Sequence, residues 1–250
     1  MTIEASLVTL GEILPLRDLY RQEMNCQIVH DSLHERGFTE SSLIRVNGQV
    51  AGYGALVRDR AGWKDVIKEF YVLPVHRPAA LKLFRQFAAA SKARGVEAQT
   101  NDRLLTLMLF DCATEIRSET ILFHDALTTS LSVPGVTFRR VTEPDRARIF
   151  PQTVEPVGDW LIEANGEIAA TGGILLHYNV PYGDIYMEVA GPFQRRGYGS
   201  YLIQELKRTC YGMGRIPAAR CSASNETSRA SLQKAGLLPC ARILSGVIST

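Results

Sequence analysis

Hydrophobic and polar positions change period several times along this chain, and each change marks an element. From Leu43 to Leu56, apolar residues flank Asn47-Gly48. That pattern predicts two strands joined by a tight hairpin, because Asn-Gly supplies the positive φ that a type I′ turn demands. Leu161 to Ile174 repeats the arrangement around Asn165-Gly166. Leu202, Ile203, Leu206 and Cys210 recur at helical spacing, which predicts a long amphipathic helix from about Tyr198 to Tyr211. Ile216 to Ser222 reads as a strand, Glu226 to Ala235 as a helix stopped by Gly236, and Leu238 to Ile248 as a strand.

The two hairpins belong to a repeat. Leu43 aligns with Leu161, 118 positions later, and the same offset carries Ile67–Phe84 onto Ile185–Leu202 without a gap, matching Pro74 to Pro192 and Arg77 to Arg195. Each half therefore reads as hairpin, third strand, short loop, long helix, strand, shorter helix and last strand. The expected fold is α/β (a mixed α+β sheet, mostly antiparallel, flanked by helices) in two tandem domains, residues 1–131 and 132–250. The Ser-, Thr-, Pro- and Gly-bearing stretch from Ala126 to Val136 is the expected junction.

The third strand of the second half ends in a corner that opens the long helix: Gln194-Arg195-Arg196-Gly197-Tyr198-Gly199-Ser200. Backbone N–H groups at such a corner, at the positive end of the helix dipole, suit a phosphate or pyrophosphate. Glycines let the backbone approach closely. A Walker loop is excluded because no Gly-Lys-Ser/Thr follows, and a dinucleotide fingerprint because Leu202 stands where its third glycine belongs. In the first half Arg196, Gly197 and Gly199 become Pro78, Ala79 and Leu81. Proline removes a donor and leucine adds bulk, so only the second corner is expected to take the anion.

Composition narrows the classes. A net charge of +2, with both signs spread along the chain, gives no basic stripe for nucleic acid. No apolar run approaches the roughly 20 residues that cross a bilayer, and Glu4 and Glu12 stand where a secretory signal would need a basic start. A cytoplasmic protein with no membrane or nucleic-acid partner is expected. Five scattered cysteines, Cys26, Cys112, Cys210, Cys221 and Cys240, fit reduced, mostly buried thiols rather than a disulfide framework or a zinc site.

The corner resembles the Gln/Arg-x-x-Gly-x-Gly/Ala loop of the GNAT superfamily of N-acetyltransferases. Asn225 to Leu237 is similar to that superfamily's Asn-x-x-Ser…Lys-x-Gly-Phe segment, with Leu237 in place of Phe. The resemblance covers about Asp159 to Ile248 and is architectural for the first half, so the chain resembles a tandem GNAT protein with a degenerate N-terminal domain. It implies acetyl-CoA as co-substrate, no metal, and direct attack by a primary amine, on a small molecule or a peptide. The implied cofactor contacts are Gln194, Arg195, Arg196, Gly197, Tyr198, Gly199 and Ser200 at the pyrophosphate, Met187 and Val189 along the pantetheine arm, and Asn225 and Ser228. An N–H near Val189 would meet the thioester oxygen.

Asp184, Tyr186 and Glu188 alternate onto one face of the third strand. Glu188 is the first candidate for the base and Asp184 the second. Many superfamily members carry a general-acid tyrosine where this chain has Leu232, so Tyr186, Ser228 or solvent would have to serve. That departure keeps an alternative open, a non-catalytic acyl-CoA-binding or interaction module.

Other features carry less. His30 and His34 have metal-ligand spacing but no evident third ligand. Cys221 as an acetyl-accepting nucleophile lacks a neighbouring histidine. His177, Tyr178 and Tyr182 precede the third strand at the expected acceptor mouth, and Trp160 reads as core. The first half has a long helical stretch, Gly11 to Ser42, where the second has only Thr142 to Gly158. The resemblance implies that this region builds one wall of the acceptor cleft, so the second half is expected to lack that wall, to be completed by the first half or by the second chain of a homodimer.

Overall fold

In a computed structural model, residues 1–24, 31–58, 65–153, 155–176 and 180–248 are described. His30, Cys26, His177 and Tyr178 lie outside them. In chain order the elements are β1 (Ile3–Val8), α1 (Leu10–Met24), α2 (Asp31–Glu35), β2 (Thr39–Val46), β3 (Gln49–Val57) and β4 (Val66–Val72), then a 3-10 turn (Pro74–Ala79). There follow α3 (Ala80–Ser91), β5 (Gly95–Gln99), α4 (Arg103–Cys112), β6 (Ala113–Asp125), β7 (Val136–Arg140) and α5 (Glu143–Arg146). The chain continues through β8 (Trp160–Ala164), β9 (Glu167–Leu175), β10 (Tyr182–Val189), a 3-10 turn (Gly191–Phe193), α6 (Tyr198–Gly212), β11 (Ile216–Ser222), α7 (Glu226–Lys234) and β12 (Leu237–Ile248).

Two compact units result, Met1–Thr120 with Ala241–Thr250, and Ile121–Cys240. Strand order in the first is β1-β2-β3-β4-β5-β12, and in the second β6-β11-β10-β9-β8-β7. The expected cut at 131/132 gives each half its own last strand, and the pairing differs. Ile243–Val247 of β12 run antiparallel to Gln99–Gly95 of β5 in the first unit. In the second unit the place beside β11 belongs to β6, whose Leu122 and Phe123 are fully buried.

The expected junction, Ala126 to Val136, is not a loose tether. Its start is strapped onto the second unit: the Lys207 ammonium donates to the carbonyls of Leu127 (2.7 Å) and Ala235 (2.8 Å). Gln204 donates to Leu131 O and accepts from Leu131 N–H.

Both hairpins form as predicted, with Asn47 and Gly48 at φ 50° and 79° and Asn165 and Gly166 at 51° and 80°. The gapless repeat does not survive. In the first unit Ala55 pairs with Glu69 but Leu56 pairs with Ile67, so Lys68 is an extra, bulged residue of β4. Val72 opposite Gly52 therefore corresponds to Val189 opposite Ala170. Tyr71 thus stands where the second unit has Glu188, and Glu69 where it has Tyr186. The register recovers at the helix starts, because Ala79 and Gly197 both cap the following helix.

In the first unit, Leu83, Phe84 and Phe87 of α3 pack on Phe70, Val72 and Ile67. The opposite face of β3 and β4 is closed by α1, whose Ile13, Leu16 and Tyr20 pack on Tyr53 and Tyr71. The Arg17 guanidinium lies under α1, paired with Glu69 at 2.7 Å and Asp31 at 2.7 Å. In the second unit, Leu202, Ile203 and Leu206 of α6 pack on Ile162, Ala170 and Ile185. Its counterpart of α1 is only α5 and the loop after it.

Candidate functional site

The corner between β10 and α6 is built by a backbone that only some residues accept. Arg195 has φ 60° and Gly197 φ 89°, both in the left-handed region, where glycine pays no Cβ penalty. Gly199 has a different reason from the one expected. A Cβ there would lie 3.2 Å from Met187 Cε and 3.3 Å from Val189 Cγ2, so this glycine lets α6 sit close on β10. Past Gln194 N–H, which bonds Gly191 O, the next backbone bond is Tyr201 N–H to Gly197 O. Among the described residues, the N–H groups of Arg195 to Ser200 make no backbone hydrogen bond. Six consecutive donors at a helix start are an anion receptor.

β10 also presents a free edge. It runs parallel to β11 only through Tyr182, Gly183 and Asp184. The bond from Ala190 N–H to Ala169 O fixes the phase of the antiparallel ladder with β9. By alternation, the N–H and C=O groups of Met187 and Val189 turn the other way, to the β11 side. There the strands have already parted.

A cavity of about 670 Å³ joins edge and corner. Of the sequence-predicted residues, it is lined by Met187, Glu188, Val189, Gln194, Arg195, Gly197, Tyr198, Gly199, Ser200, Asn225 and Ser228. Three are not brought to it. The Arg196 guanidinium lies 5.9 Å from the centre of the Phe193 ring. Asp184 is buried beside Arg220 at 3.1 Å, and burial, outweighing that arginine, pushes its carboxyl up to about 7. Tyr186 packs across Gly173, where a Cβ would come 2.6 Å from its hydroxyl, and its phenol is raised by burial and by Asp159 and Glu155. Asn225 accepts from Ser228 N–H at 2.9 Å, an N-cap that starts α7. Leu232 is buried in the core and does not line the cavity.

Sequence reasoning missed the loop after α5. The Glu188 carboxylate accepts Thr153 N–H at 3.0 Å, the Thr153 hydroxyl at 2.7 Å and Glu155 N–H at 3.3 Å. Thr153 and Glu155 thereby become lining residues. Two of those three donors are main-chain groups, which no residue identity advertises. Lys234, Thr227 and Ser231 also line the cavity, and their spacing along α7 could have flagged them.

His34 is buried against Thr39 and Glu69, and no group that could hold a metal occurs among the described residues. Cys112, Cys210, Cys221 and Cys240 are free thiols, Cys240 being exposed, and burial raises the Cys221 thiol. Trp160 is half-buried and stacks on Phe138 at 4.9 Å. No described helix is long and apolar enough to cross a membrane. A larger cavity, about 850 Å³, lies in the first unit among Phe84, Ala88, Ala93, Cys112 and Ile248. It is mainly apolar and has no strand-to-helix glycine corner.

A mixed sheet with a parted parallel pair, flanked by helices, is the GNAT fold. Solved GNAT structures share it over the whole chain. An acetyltransferase from the GNAT family of Colwellia psychrerythraea has TM-score 0.73 at 13% identity, covering 100% of both chains. A tandem GNAT protein from the clavulanic acid biosynthesis pathway has TM-score 0.63 at 11% identity, covering 100% of this chain and 99% of its own. A GCN5-related N-acetyltransferase from Sphaerobacter thermophilus has TM-score 0.60 at 16% identity, covering 99% and 96%. Residues 127–237 match the Acetyltransferase (GNAT) family, and this segment is a GNAT domain. No curated protein sequence matches the chain significantly.

Proposed function

We propose that the chain is an N-acetyltransferase that moves the acetyl group of acetyl-CoA to a primary amine, with one competent site, in the second unit. The observation that carries this reading is the run of unbonded amides from Arg195 to Ser200 beside the free edge of β10. Such a run suits a diphosphate, with Arg195 adding charge, while the Gln194 side-chain amide donates to Val189 O at 3.3 Å. Met187 and Val189 offer an edge for an added strand, and the Val189 N–H faces the side where a thioester oxygen gains charge. Acetyl-CoA would supply the activated acyl group. An acceptor amine arrives protonated, so a carboxylate of this cavity must take a proton. Glu155, Glu188 and Glu226 line it, and Glu226 stands exposed at the start of α7.

The first unit would leave the reaction to the second. At its matching corner the Arg77 side chain donates to Val72 O at 3.1 Å and pairs with Glu23, and Leu81 packs into the core. The first unit is accordingly proposed as a degenerate GNAT-like domain, in place of 1–131, and the second, Ile121–Cys240 in place of 132–250, as the acetyl-CoA-binding part. Homodimer formation and a cytoplasmic location belong to the same proposal.

Leu232, buried where the resemblance puts a tyrosine, favours a second reading, an acyl-CoA-binding module without turnover. Thiol release from acetyl-CoA, followed with a thiol reagent over a panel of primary amines, separates them. Catalytic release with at least one amine supports the enzyme. Tight CoA binding with no release above buffer supports the module.

A further inference from the structure

Three carboxylates line the cavity; Glu226 is exposed in the first turn of α7, and the surroundings of the other two, Glu188 and Glu155, differ. Both oxygens of Glu188 accept hydrogen bonds from Thr153 and Glu155. The carboxylate of Glu155 makes no hydrogen bond or ion pair among the described residues. Yet Glu155 is half-buried in the same cavity as the glycine corner. Facing it are Glu188, Asp184, Arg220 and Tyr186. Arg220 is already paired with Asp184. A partly desolvated carboxylate among other acids, without a partner of its own, is a receptor for a cation.

We propose that Glu155 is the group that binds the acceptor ammonium and takes its proton, while Glu188 is a positioning residue that fixes the loop carrying Glu155. This rests on the acetyltransferase reading. Glu155 accepts one proton from the ammonium, and the freed nitrogen lone pair forms the C–N bond as the thioester C–S bond breaks. The second nitrogen proton ends on the departing thiolate, and Glu155 returns its own to solvent. Burial and the neighbouring Glu188 raise the Glu155 carboxyl, with Arg220 opposing, which moves it toward the range where a base works near neutral pH.

The test compares wild type, Glu155→Gln and Glu188→Gln in the full chain. CoA affinity is read by calorimetry, and kcat and KM across pH by thiol release with putrescine, tyramine, kanamycin and an unblocked peptide. For Glu155→Gln the expected result is unchanged CoA affinity, kcat lower by about a hundred- to a thousandfold, and loss of the acidic limb of the pH profile. Glu188→Gln should keep that limb and raise the acceptor KM. Full activity and an intact acidic limb in Glu155→Gln, or loss of that limb only in Glu188→Gln, overturns the assignment while leaving the acetyltransferase reading in place. A wild type that binds CoA but releases no thiol with any of the four amines overturns both.

Discussion

The same sheet face meets opposite fates in the two units. In the first, α1 closes it: Tyr20 sits edge-on to Tyr53 and Tyr71, both at 6.2 Å, and Arg17 fills the layer beneath with a bidentate bond to Glu69. In the second, the corresponding positions are Thr171, Glu188 and Tyr186, and a short loop covers them through hydrogen bonds to Glu188. A closed face contributes packing and a paired buried charge, whereas an open one leaves carboxylates facing a cavity. The corners differ in the same sense. Arg77 occupies one, while six amides stay unbonded at the other.

The comparison can be broken in graded steps. The largest effect is expected from expressing residues 132–250 alone. This removes Leu122 and Phe123 from beside β11, so near-UV circular dichroism should show loss of fixed tertiary packing. A well-folded fragment would contradict the strand assignment. Next, Arg17→Met strands Glu69 without its main partner. A buried charge left in this way costs about 3–5 kcal/mol, read as a shift in urea midpoint, with CoA affinity unchanged while the chain is folded. Gly197→Ala forces a side chain into the left-handed region, at about 1–2 kcal/mol, and should weaken CoA binding by about tenfold.

A further effect is a slope. The Asp184 carboxyl is raised from 3.8 to about 7 in the folded state. The folded form therefore holds a proton that the unfolded form has lost between those values, and stability from this group falls as pH rises through that window. Asp184→Asn should flatten the decline in thermal midpoint across it, and an unchanged slope would remove Asp184 as its cause.

How much of this the sequence could reveal depended on range. Asn-Gly turns, the Tyr198–Gly212 helix and the Gly197 corner are local, set by residue type and 3.6-residue spacing, and were legible. Lys68 was not, because a bulge changes the register without altering the alternation that an ungapped alignment follows. The exchange of β6 and β12 was hidden for a related reason: a strand's pattern states that it pairs, not with which neighbour. Arg17 and Glu69 meet across 52 positions. Glu155 escaped notice because what aims it, a main-chain N–H bonded to Glu188, has no signature in sequence.

The most direct measurement is the stoichiometry of CoA binding by calorimetry, in wild type, Gly197→Val and Arg77→Ala. The account predicts one CoA per chain, abolished by Gly197→Val and untouched by Arg77→Ala. Two per chain, or one that survives Gly197→Val and disappears with Arg77→Ala, would contradict it.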